Sequence, residues 1–86
     1  MIVYILRCAD GSLYTGWTTN LERRLRQHRA SRASKYTRSR LPVELAASFT
    51  VRDRTAARRL EAKIKALPRA RKLELLASPE ALLSYS

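Results

Sequence analysis

Five side chains stand out for the chemistry they could share: Tyr4, Tyr14, Arg24, His28 and Glu61. Arg24 and His28 fall on the same helical face as Leu21 and Leu25, through spacings of three, four and seven. Glu61 interrupts the apolar stripe Ala57, Leu60, Ile64, Leu67. An ionisable group aimed at a core needs a partner. Glu61 could pair with Arg24 in a buried ion pair, or a long stem could snorkel to water. Taken together, the set has another reading. The carboxylate would hold a hard divalent cation through oxygen, which polarises a phosphate oxygen and steadies the leaving group. Arg24 would neutralise charge on a phosphoryl group. A tyrosine beside such cations would lose its proton below its free pKa of about 10 and could position or deprotonate water. No second carboxylate is placed to match Glu61. The sequence also lacks a Cys/His cluster for zinc, a phosphate-cradling glycine loop and a Ser-His-Asp set.

These side chains need elements to position them. Ile2–Cys8 is β-branched and aromatic and reads as a strand, with a return strand over residues 12–17. Asp10-Gly11 marks the turn between them, in two competing registers. A two-residue loop pairs Tyr4 with Trp17 and sends the two tyrosines to opposite faces. A three-residue loop, with Gly11 in the left-handed conformation, pairs Cys8 with Ser12, Leu6 with Tyr14 and Tyr4 with Gly16. Both tyrosines then share a face. Thr19 with Glu22 predicts a capped helix over residues 20–29. Residues 29–41 read as a loop, and Pro42 opens a third strand over residues 43–51. Asp53 or Thr55 caps a helix running to Leu67. Pro68 ends that helix and starts another over residues 69–77. The tail beyond Ser78-Pro79 adds one turn through Leu82 and Leu83 or frays.

The charge limits the partners. In 86 residues there are 18 Lys and Arg against 7 Asp and Glu, a net charge of +11. That predicts attraction to polyanions, and the excess of arginine suits phosphate contacts. Nucleic acid is the expected partner. A membrane is not, since no apolar run spans a bilayer and no helix pairs a broad apolar face with a basic one. Arg29, Arg32, Lys35, Arg38 and Arg40 line the loop without an intervening acid, and Arg58 and Lys63 extend the basic surface. Tyr36 among them either stacks on a base or tethers the loop. The single cysteine, Cys8, lies in an apolar run and reads as a small buried residue, in keeping with a reducing, cytoplasmic setting. The N-terminal stretch is too short and lacks the basic leader of a signal peptide. The length predicts one domain over residues 1–86, its core within about residues 1–78.

With these residues in view, the chain resembles a GIY-YIG nuclease domain, similar to its small stand-alone YhbQ-like members. Ile2-Val3-Tyr4 stands at the first tripeptide and Tyr14-Thr15-Gly16 at the second. The segment from Asn20 to Leu25 matches the helix carrying the family's arginine, with His28 one turn on. Glu61 stands at the family's metal-binding glutamate. The family's first glycine is replaced by Ile2 and its central isoleucine by Thr15, and no asparagine follows Glu61. The resemblance implies an α+β fold, a three-stranded antiparallel sheet flanked by helices. It favours the three-residue loop. It implies phosphodiester hydrolysis in DNA with one Mg2+ or Mn2+, directed by structure or damage. Tyr4 would be the water-positioning or general-base residue. Tyr14 would bind the scissile phosphate or share that role, Arg24 would stabilise charge, His28 would orient a tyrosine hydroxyl and Glu61 would bind the metal. A non-catalytic nucleic-acid-binding module and a basic subunit of a nucleoprotein complex are the alternatives.

Overall fold

The computed structural model describes residues 1–77; the expected turn at Leu82 and Leu83 lies outside them. Strands β1 (Ile2–Cys8) and β2 (Leu13–Thr18) form a hairpin, followed by α1 (Leu21–Arg29), the short α2 (Lys35–Arg38), β3 (Val43–Thr50), α3 (Arg54–Ala66) and α4 (Arg69–Ala77). The antiparallel sheet has the order β2-β1-β3, so β1 is central and β2 is an edge.

A central strand covered on both faces should be continuously apolar, and β1 is. Its Val3 and Ile5 pack with Ala57 and Ile64 of α3 and Leu75 of α4. Its Tyr4, Leu6 and Cys8 form a second cluster with Val43, against which Tyr14 and Leu21 and Leu25 of α1 pack. Helices α3 and α4 therefore cover one face of the sheet and α1 the other. Alanines and a serine make β3 a weak strand by propensity. Its pairing with β1 along its whole length, with one irregularity at Ile5 and Leu6, overrides that weakness.

Of the two hairpin registers, the protein adopts the three-residue loop. Leu6 faces Tyr14 and Tyr4 faces Gly16, with Cys8 N–H donating to the Ser12 carbonyl at 2.9 Å. Gly11 sits at φ 83°, the left-handed region. The turn is also anchored from outside. The Arg40 guanidinium donates to Asp10 Oδ2 at 3.0 Å, and the Arg69 guanidinium to the Gly11 carbonyl at 2.9 Å.

Two local expectations are corrected. The cap of α1 is Asn20, whose side chain accepts from Arg23 N–H at 3.0 Å; Thr19 lies one residue too early for that geometry. The basic stretch after α1 is not all loop. Ser34 accepts from the N–H groups of Tyr36 and Thr37 and caps a single turn, α2. A lone turn carries no apolar periodicity to reveal it.

A Cβ built on Gly11 meets nothing within 4 Å, so Gly11→Ala isolates the backbone cost. It should lower stability by about 1–2 kcal/mol, read as a shift of the urea midpoint at unchanged slope.

Candidate active site

The hairpin register stacks the site in two levels. A groove of about 440 Å³ runs over the outer edge of β2, lined by Tyr14, Gly16, Trp17, Thr18, Thr19, Arg24, Arg54 and Glu61. It straddles the sheet: Tyr14 and Arg24 belong with the α1 face, Arg54 and Glu61 with α3. Tyr14, Arg24 and Glu61 are thus brought to one surface. Tyr4 and His28 lie beneath it, both fully buried. Of the five groups, three line the groove and two lie below it.

Gly16 forms the floor between the levels. A Cβ there would lie 2.7 Å from the Tyr4 hydroxyl and 2.8 Å from Cζ of the same ring. The cross-strand pairing of Tyr4 with Gly16 lays the phenol across the glycine. The hydroxyl reaches His28 Nε2 at 2.8 Å, and His28 Nδ1 reaches Thr37 Oγ1 at 2.8 Å. The Thr37 hydroxyl donates to the Ser34 carbonyl at 3.4 Å. A carbonyl only accepts, so the hydroxyl is spent there and its lone pairs receive Nδ1–H. Nε2 is then bare, and Tyr4 O–H donates to it. Among the described residues no buried polar side-chain atom lacks a partner.

This burial reverses the expected titration of Tyr4. Desolvation, then the neighbouring Tyr14, push its pKa up to about 12, against a smaller downward pull from Arg24. Tyr4 is a neutral hydrogen-bond donor at neutral pH. Burial, with the Arg24 charge nearby, holds the His28 imidazole below the usual histidine value. It too is neutral, as the bonding of Nε2 requires.

Arg24 is half-buried and donates through Nε to Gln27 Oε1 at 3.1 Å. Among the described residues it has no acid partner, so the Arg24–Glu61 ion pair does not form. Glu61 instead lies 3.7 Å from Lys65 Nζ, one turn on in α3. The groups expected to contact nucleic acid divide. Arg29, Arg32, Lys35, Arg38 and Arg58 are exposed. Arg40 is occupied: it pairs with Asp10, donates to the Tyr36 carbonyl at 2.9 Å and lies 3.9 Å over the Tyr36 ring. Tyr36 also packs on Tyr14, with ring centroids 5.9 Å apart. These contacts tether α2 through the ring, which remains 37% exposed. Lys63 is turned roughly 200° around α3 from Glu61, away from the groove.

Sequence reading missed Arg54, Lys65 and Thr37. Arg54, Arg58, Glu61 and Lys65 follow spacings of four, three and four along α3, a stripe that periodicity could have found. Thr37 carried no signal, since its partner His28 lies nine residues away. No group of three or more His, Cys, Asp or Glu suited to a metal occurs among the described residues. No described helix is long and apolar enough to cross a membrane.

Comparison with known proteins gives a consistent pattern. Residues 1–74 match the family model of the GIY-YIG catalytic domain. The chain is 51% identical over 75 residues to a UPF0213 protein of Natronomonas pharaonis, covering 87% of this chain and 88% of that one. It is 49% identical over 74 residues to one from Oceanobacillus iheyensis, covering 86% of each. The solution NMR structure of a UPF0213 protein from Bacillus halodurans aligns with a TM-score of 0.59 at 42% identity, over 88% of this chain and 81% of that one.

Two stability measurements check this arrangement. Gly16→Ala should cost about 1–3 kcal/mol through overpacking. It should cost nearly as much in a Tyr4→Phe background, because Cζ remains in the way. Thr37→Val strands Nδ1–H and should cost about 1–3 kcal/mol, with Thr37→Ser recovering most of it. For pH, the lowered His28 pKa means that the unfolded chain binds the proton more readily. Stability should therefore fall as pH drops below about 6.5, and His28→Gln should flatten that acid limb in denaturation curves.

Proposed function

The chain belongs to the GIY-YIG catalytic-domain family, a family of nucleases, and on that premise we propose that it is a metal-dependent endonuclease acting on DNA, directed by structure or damage rather than by base sequence. The observation that carries this reading is the groove in which Tyr14, Arg24 and Glu61 meet over the floor made by Gly16.

The residues fit a single hard cation. Glu61 is the one acid lining the groove among the described residues. Its pair with Lys65 is long, 3.7 Å, and the lysine is 55% exposed, so releasing the carboxylate costs little. Magnesium commonly takes one or two carboxylates together with substrate phosphate and water, which suits this lone acid. Glu61 would hold the ion, and the ion would supply Lewis-acid stabilisation of charge on the phosphodiester.

The remaining roles follow from placement. Arg24 has Nε committed to Gln27, which orients the far end of its guanidinium, and it carries no acid among the described residues to neutralise it. It meets the phosphoryl oxygens as their charge grows. Tyr14 lines the groove and offers its phenol to the attacking water or the phosphate. Tyr4 has its proton committed to His28. Its hydroxyl oxygen faces Arg24, so Tyr4 orients that guanidinium from below the floor. His28 keeps Tyr4 in that orientation, and Thr37 keeps the His28 tautomer.

The test is cleavage of labelled single-stranded, duplex and branched DNA with Mg2+ or Mn2+. Glu61→Gln should abolish cleavage while DNA binding persists. Arg24→Ala should slow it by about 100- to 1,000-fold, far more than Arg38→Ala. If the wild type cuts none of these substrates with either ion, the protein is a binding module rather than a nuclease.

A further inference from the structure

Beyond the reacting centre, the edge of β2 carries two more depressions that join the main groove. One, of about 180 Å³, shares Thr18, Thr19 and Arg24 with it and adds Arg23 and Gln27. The other, of about 280 Å³, shares Tyr14 and adds Lys65 of α3 and Lys72 of α4. Their shared lining residues set the three side by side along the strand as a trough, with Glu61 in the central one. Among the described residues Glu61 is the only acid lining the trough; Arg23, Arg24, Arg54, Lys65 and Lys72 are its cations.

Lys72 is the unusual member. Lys35, Lys63 and Lys65 are exposed, whereas Lys72 is partly buried. Among the described residues it has no acid within ion-pair distance. The neighbouring Arg71 takes Glu74, at 3.1 Å. The Lys72 stem is partly covered while its ammonium lines the trough, so an anion brought there would meet a charge that no acid of the described residues already neutralises. Lys65 stands on the same wall and is held only by its long pair with Glu61. Beside them the Tyr36 ring is engaged by Arg40 and Tyr14, so charge dominates this end.

We infer that Lys65 and Lys72, converging beside Tyr14, form a subsite for the phosphodiester adjacent to the scissile one. The subsite rests on the nuclease reading for its position in the substrate. It grips the backbone and reads no base. The substrate strand must therefore extend at least one nucleotide past the cleaved bond on the Tyr14 side, and base identity there is unimportant.

The experiment compares Lys72→Gln with Arg59→Gln, which removes the same charge from a position turned away from Glu61 on α3. Binding of a fluorescent mixed-sequence single-stranded oligodeoxynucleotide is titrated over a range of salt with EDTA present. Lys72→Gln should weaken binding by about 3- to 10-fold and reduce the slope of log K against log salt by about 0.7. Arg59→Gln should do less on both counts, and Lys72→Arg should restore the wild-type slope. With Mg2+, Lys72→Gln should raise KM more than it lowers kcat. Equal binding and equal slopes for Lys72→Gln and Arg59→Gln would overturn the subsite and leave the nuclease standing. Binding that depends on Lys72 in a wild type that cuts nothing would overturn the nuclease reading and keep the backbone-gripping subsite.

Discussion

The site depends on a single crossing, in which the Tyr4 ring lies over the Cα of Gly16 on the neighbouring strand. Any Cβ at position 16 would enter the space of the phenol and force it to shift. The crossing allows the hydroxyl to reach His28 rather than solvent. Burying a phenol and an imidazole together is costly unless their polar atoms are paired. The chain Tyr4, His28, Thr37 and Ser34 satisfies them in one direction. That direction comes from the one member that can only accept, the Ser34 carbonyl. A turn of helix in a basic connection thus determines which nitrogen of a histidine carries the proton.

The same crossing explains why an edge strand can hold the site. Glu61 belongs to the helix layer opposite Arg24, and the two can approach only around the rim of the sheet. β2 is that rim, and its glycine keeps the rim thin. The cost of exposing an unpaired strand edge is met here by surrounding it with charge. Cations from α1, α3 and α4 line the trough, with one carboxylate among them. A phosphodiester backbone complements that distribution along its length, and a single cation complements its one acidic point. The aromatic pair Tyr14 and Tyr36 stacks on itself and adds cohesion. Arg40 completes that packing while tying α2 to the hairpin turn.

Much of this was legible in the sequence. The elements are local in origin: β-branched strands, the Asp10-Gly11 turn, Pro68 between two helices, and apolar stripes with the period of a helix. The candidate residues were legible because Arg24, His28 and Glu61 break those stripes, and a broken stripe needs no knowledge of the partner. Two registers for the hairpin could also be written from spacing alone, but not the choice between them. Both place apolar residues on both faces of a central strand, so hydrophobic pattern does not discriminate. What decides is the fit of the Tyr4 ring over Gly16 and the anchoring of the turn by Arg40 and Arg69, both distant in sequence.

Tertiary structure alone settled the rest, for reasons of distance and dielectric. Sequence placed the Tyr4 phenol beside cations and so predicted easier ionisation. Packing removed its water, and desolvation outweighs the nearby Arg24 charge, so the pKa moves to about 12 instead. Charge sign allowed Glu61 to pair with Arg24, but the two belong to opposite helix layers and Glu61 takes Lys65, one turn on in its own helix. Composition made Arg40 and Tyr36 equal to their basic neighbours, whereas contacts across the fold tie both to the hairpin turn and Tyr14. Residue type and period determined which groups were available. Only the packing of two helix layers around one thin strand edge determined which of them meet, and in which protonation state.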